Sequence, residues 1–176
     1  VTTEGVNDMV LDNGGSVDRW IAQDKITSYG PSGIGFVNFG IVNELEMRAS
    51  IETFGQGARG FNQYAGTVNR AEFDRITTHA DDSIGIQISR PIGTLEVRRG
   101  IENFGGTGDS LVKGVVVKLS AIALSIKPGG SARSIDIEGG VVTHGNGVPP
   151  LELLGSIGRL TLDGGIATAE AADNSP

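Results

Sequence analysis

Cysteine is absent from the 176 residues, aromatics make up only 5% with a single tryptophan, and Lys plus Arg number 14 against 21 Asp plus Glu. Without thiols there is neither a disulfide framework nor a thiolate zinc site. A formal net charge of −7 and a sequence pI of about 4.8 argue against a phosphate-binding surface, which needs clustered Lys and Arg. No nucleic-acid partner is therefore expected. No apolar run approaches the ~18 residues of a membrane span, and no basic-then-apolar segment opens the chain. No membrane span is expected within it.

Glycine, by contrast, is plentiful at 28 residues, roughly twice the usual ~7% share. Such a chain turns often and disfavours long helices. The aliphatic residues carry a period: Val1, Ile26, Ile51, Ile76 and Ile101 are spaced by 25, as are Val141 and Ile166. The interval from Ile101 to Val141 is 40 and holds about 15 extra residues. Ahead of each closing aliphatic comes a triplet of apolar slots: Val17, Trp20, Ala22; Val42, Leu45, Met47; Ile92, Leu95, Val97; Ala132, Ile135, Ile137; Ile157, Leu160, Leu162. The copy Val68, Ala71, Phe73 lies one residue closer to its Ile76. Two positions after each closing residue stands a small polar column: Thr3, Ser28, Thr53, Thr78, Asn103, Thr143 and Thr168. The next position holds Glu4, Tyr29, Phe54, His79, Phe104, His144 and Ala169, usually followed by glycine. A fixed period of this length means stacked supersecondary units.

Each copy reads as three short strands separated by glycine-rich corners, as in the alternation of Ile84, Ile86 and Ile88. The stretch 102–140 is an enlarged coil or a coil plus an excursion, since Ile126 also falls 25 after Ile101. A leucine-rich repeat would show L-x-x-L-x-L-x-x-N, and Ile157, Leu160 and Leu162 match its first half. Its asparagine slot, however, is filled by Lys25, Ser50, Arg75, Gly100, Gly140 and Gly165, so no buried asparagine ladder is expected. The expectation is an all-β parallel β-helix of six or seven coils, ~30 Å long by strand spacing. Residues 1–170 form its single domain and 171–176 a linker. The register of both termini predicts a piece cut from a longer array.

The copies ending Leu95-Glu96-Val97-Arg98-Arg99-Gly100-Ile101 and Leu160-Thr161-Leu162-Asp163-Gly164-Gly165-Ile166 resemble coils of right-handed parallel β-helices. That superfamily includes pectin-lyase-like enzymes and autotransporter-type passenger domains. The resemblance rests on periodicity and glycine placement, and it implies a fold more than a function.

The column Tyr29, Phe54, His79, Phe104 and His144 would stack flat side chains, either as a strip for sugar rings or as a ladder holding the coils in register. Strand alternation puts it opposite the Thr/Ser/Asn column. His79, Asp81 and Asp82 form a local cluster able to carry acid–base chemistry of the paired-carboxylate kind, but Asp-Asp-Ser is also ordinary corner chemistry. Glu52 and Glu102 occupy equivalent slots two coils apart with Thr77 between them, and no metal site or cofactor is expected. Trp20 sits in an inward slot. The function read from these features is a non-enzymatic rigid stalk or adhesin-like module of an exported, cell-surface protein, with a polysaccharide or another cell-surface macromolecule as partner. The alternative is a carbohydrate-active β-helix enzyme, a hydrolase or lyase.

Overall fold

A computed structural model describes residues 1–112 and 114–168 and places them in an all-β solenoid of about seven turns. The linker expected over 171–176 lies outside the described residues. Three parallel sheets run the length of the coil stack, and each coil contributes one strand to each. The first sheet is built of short strands: Thr2–Thr3, Ile26–Ser28, Ile51–Thr53, Ile76–Thr78, Ile101–Asn103, Val141–Thr143 and Ile166–Thr168. The second holds Met9–Asn13, Ile34–Asn38, Arg59–Gln63, Ile84–Ile88, Ile122–Ile126 and Leu151–Leu153. The third holds the seven-residue strands Ser16–Ala22, Ile41–Met47, Thr67–Phe73, Pro91–Val97, Ser131–Ile137 and Ser156–Leu162.

Registers between coils match the sequence columns. Ile26, Ile51, Ile76, Ile101 and Val141 pair one above the next and are buried. The three slots of the seven-residue strands stack in the same way, forming one continuous core with Phe36, Phe61, Ile86 and Leu124 of the second sheet. Volume is balanced within a coil: Ala71 shares its strand with Phe73, whose ring meets Phe61 at 4.9 Å, while Leu45 shares its strand with Met47. Interiors at crystal-like density leave no room for two large side chains there. Trp20 is half-buried and packs edge-on against Phe36 at 5.2 Å.

The 40-residue interval is a single enlarged coil. Ile84 pairs with Ile122, 38 residues on, so 13 extra residues lie before that strand, in an antiparallel hairpin of Thr107–Val112 and Val115–Ser120. Pro91 pairs with Ser131, 40 residues on, so the other two extend the corner at Pro128 and Gly129. The third copy's slip has a local origin as well. Its corner after Gln63 carries one more residue than the corner after Asn38, with Gly66 at φ +63 and Gly40 O only 1.8 Å from where a Cβ would sit.

A buried amide ladder does exist, in a slot other than the leucine-rich-repeat one. Asn13 Nδ2 donates to Asn38 Oδ1 at 2.8 Å, and Asn38 Nδ2 donates to Gln63 Oε1 at 3.0 Å. Gln63, a methylene longer, spans the longer corner by donating to both Ala65 O and Gly66 O. The ladder then gives way to Ile88 and Ile126. These amides link the corners of successive coils and bond corner carbonyls such as Gly15 O, Gly40 O, Ala65 O and Gly66 O.

Candidate functional site

The short-strand sheet ends at the corner that carries the aromatic column. Alternation sends the residue before it inward, so Ser28, Thr53, Thr78, Asn103 and Thr143 are buried. The column itself points outward, with Tyr29 50%, Phe54 37% and Phe104 43% exposed. Successive rings from Tyr29 through Phe54, His79 and Phe104 to His144 lie 4.9, 4.3, 5.2 and 4.3 Å apart, with interplanar angles of 16° or less. Each interior ring therefore covers the faces of its neighbours and shows solvent only an edge. A sugar ring stacks on an aromatic face, and the three interior rings leave no unstacked face.

Both histidines are tethered by the same device. His79 Nε2 lies 3.0 Å from Glu52 Oε1, and His144 Nε2 lies 2.9 Å from Glu102 Oε1. Lys25 pairs with Glu52 and Arg75 with Glu102, so each glutamate links a cation one coil before it to a histidine one coil after it. Burial pushes the Glu52 carboxyl up, but the bonds from Lys25 and His79 outweigh this and hold it below its ordinary value.

Asp81 and Asp82 sit at the corner before Ile84–Ile88. Asp82 is wholly buried at φ 50, in a left-handed column shared with Asn7, Ser32, Gly57 and Gly147. Its carboxylate acts on Arg59, whose guanidinium burial pulls down in pKa while Asp82 opposes the shift. Asp81 Oδ1 accepts from Gly106 N at 2.7 Å. The base of the hairpin lies over this corner, with Gln56 Nε2 donating to Asp109 O at 3.1 Å. His79, meanwhile, is directed at Glu52, so the three residues of the local cluster do not converge on one open space.

The outward face of the seven-residue sheet carries a charge ladder that the period alone does not reveal. Glu46, Glu72, Glu96 and Asp136 stand in one register column. Arg19 and Arg48 flank Glu46, Arg70 bridges Glu72 and Glu96 at 3.1 and 3.2 Å, Arg98 pairs with Glu72, and Arg159 meets Asp136 at 2.9 Å. The Arg48 hydrogen bond chiefly holds the Glu46 carboxyl below its usual range.

Two shallow hollows lie where the second sheet turns into the third. One of about 280 Å³ is lined by Tyr64, Ser89, Arg90, Lys127 and Pro128. The other, of about 350 Å³, includes Thr67, Asn69, Pro91, Gly93 and Arg133 in its lining. Beside it runs an exposed amide ladder in which Asn43 Nδ2 donates to Asp18 Oδ1 and Asn69 Nδ2 donates to Asn43 Oδ1.

Among the described residues no group of three or more His, Cys, Asp or Glu could hold a metal ion, and no helix is long and apolar enough to cross a membrane. No family model, curated protein or solved structure matches the chain.

Proposed function

We propose that this parallel β-helix is a non-enzymatic, rigid module of an exported cell-surface protein, a stalk or adhesin-like spacer whose lateral faces meet a polysaccharide or another cell-surface macromolecule. The observation that carries this reading is the engagement of the acids on the short-strand and seven-residue sheets and of Glu152. Glu46, Glu52, Glu72, Glu96, Glu102, Asp136 and Glu152 each face a cation. Glycoside cleavage by paired carboxylates needs one held protonated and one ionised across an open cleft. Ion pairing with Arg or Lys keeps a carboxylate ionised. Among the described residues the one long excursion is the hairpin, and its base lies over a corner. Stacked backbone ladders, buried amides and stacked rings together suit a load-transmitting rod.

The test is incubation of the protein with uronic-acid and neutral polysaccharides. No new reducing ends and no unsaturated products are expected, and antibody labelling of intact source cells is expected to reach the protein. Turnover of any of these polysaccharides overturns the non-enzymatic reading; labelling only after lysis overturns the surface location.

A further inference from the structure

Arg90 and Arg133 stand apart from the charge pairing of the other arginines. Both are exposed. The other arginines pair with carboxylates or, for Arg59, donate side-chain hydrogen bonds. Among the described residues these two alone do neither. They line the two neighbouring hollows, and the run Ser89-Arg90-Pro91 leads from one hollow into the other. In a chain of net charge −7 this is a local surplus of positive charge.

The neighbouring groups have defined polarity. Asn43 donates its amide to Asp18 Oδ1 and presents its own oxygen to Asn69. The ladder therefore ends on an acceptor, Asn69 Oδ1. That oxygen lies over Gly93, where an added Cβ would be 3.1 Å from it. Gly93 stands between Asn69 and Arg133 in one register column and contributes no side chain, so a gap one strand wide separates Asn69 from Arg133, about 10 Å by strand spacing. Tyr64 is 53% exposed, and among the described residues the one ring it meets is Phe39, edge-on at 5.4 Å, so unlike the rings of the long ladder it is not stacked between ring neighbours.

We infer that this corner binds an anionic sugar unit of a polysaccharide. The sugar ring lies against Tyr64 and Pro91, a hydroxyl donates to Asn69 Oδ1, and the anionic substituent is held by the Arg90 and Arg133 guanidinium groups. Their planar donor forks suit a carboxylate or a sulfate. An acidic peptide fits less well. Strands Thr67–Phe73, Pro91–Val97 and Ser131–Ile137 are paired on both sides, which leaves no edge for backbone pairing with a peptide. The inference rests on the glycan-contacting part of the proposed function.

Calorimetric titration tests it with four probes of matched length: a sulfated oligosaccharide, an oligouronate, a neutral oligosaccharide and oligoglutamate. Binding is expected for at least one of the two anionic sugars, and which one binds identifies the anion. Affinity should weaken as salt rises, fall at least tenfold in Arg90→Gln and in Arg133→Gln, and fall further in the double variant. Arg159→Gln, which removes an arginine already paired with Asp136, should stay within twofold. Both target arginines are exposed, and circular dichroism verifies the fold of each variant. Failure of both anionic sugars to bind, undiminished affinity in the double variant, or equal binding of oligoglutamate each overturns the inference. Neutral-glycan binding indifferent to both arginines would remove this site while leaving the module reading intact. Arginine-dependent binding accompanied by new reducing ends would uphold the site and overturn the non-enzymatic reading.

Discussion

Replacing Asn38 by alanine removes the middle rung of the buried amide ladder. Its three shortest hydrogen bonds go with it, from Asn13 Nδ2 at 2.8 Å, to Gln63 Oε1 at 3.0 Å and to Gly40 O at 3.0 Å, along with longer contacts to Ala65 O, to Thr67 O and from Gly40 N at 3.3 to 3.4 Å. Each contributes about 1 kcal/mol net. Asn13 Nδ2 retains Gly15 O, whereas Gln63 Oε1 loses its donor inside a fully buried residue, a further penalty of about 1–3 kcal/mol. The total is about 4–6 kcal/mol, which at a urea dependence of about 2 kcal/mol per molar lowers the unfolding midpoint by roughly 2–3 M. Asn43→Ala supplies the comparison, because it breaks two bonds of the same chemistry, at 3.2 and 3.1 Å, on the exposed ladder. Water replaces those partners, so its change should stay within about 0.5 kcal/mol. Equal midpoint shifts for the two variants would refute the claim that burial of the ladder makes it stabilising.

Thr53 and Thr78 bury hydroxyls that find no hydrogen-bond partner, so Thr53→Val and Thr78→Val should each raise stability by about 1 kcal/mol, read as a higher urea midpoint; an unchanged or lower midpoint contradicts this. Gly55→Ala would set a Cβ 1.9 Å from Gly30 O, whereas Gly14 has nothing within 4 Å of the same atom. The first should cost about 3 kcal/mol, or roughly 10 °C of melting temperature, and the second should be nearly silent; equal melting points would be inconsistent with coil spacing set at Gly55. Glu152 behaves as Glu52 does: burial raises it, and bonds from Lys127 and Ser125 outweigh burial and lower it. With folded values below the ~4.3 of an unfolded glutamate, these groups stabilise the fold above that pH, and the contribution is lost as pH falls through the folded values. Denaturant melts of Glu52→Gln/Glu152→Gln should show a flatter decline in stability below about pH 4.3 than the parent, and an unaltered slope would argue against the pairing.

The fold was legible because the inward columns repeat one residue class at one spacing. Ile26, Ile51, Ile76 and Ile101 occupy one buried line, and no polar substitution interrupts it. The enlarged coil was harder to read. Ile126 lies 25 residues after Ile101 yet stacks on Ile88, because the hairpin's 13 extra residues carry a second-sheet strand into that position. The amide ladder hid behind its brevity: three rungs, one of them Gln63, followed by Ile88 and Ile126. Candidate sites were less legible still. The histidines could be seen to stack, but their glutamates sit two positions further forward one coil below. That diagonal relation appears only once the coil geometry is known.

Parallel in-register stacking also explains the dense ion pairing on the outward face of the seven-residue sheet. Four acids in one column, Glu46, Glu72, Glu96 and Asp136, stand one strand spacing apart. At about 4.8 Å, neighbouring like charges repel by about 1 kcal/mol in water and several times that at a partly buried surface. Repetition thus turns a single tolerable charge into a cumulative strain, which Arg19, Arg48, Arg70, Arg98 and Arg159 offset from both flanks. An arginine beside such a column is accounted for by stability alone. Arg90 and Arg133 lie outside that requirement: no acid column runs beside them, and they meet a glycine gap and an acceptor-ended amide row instead. On a solenoid, then, binding residues are better sought among the cations that stacking does not need than among the aromatics that stacking aligns.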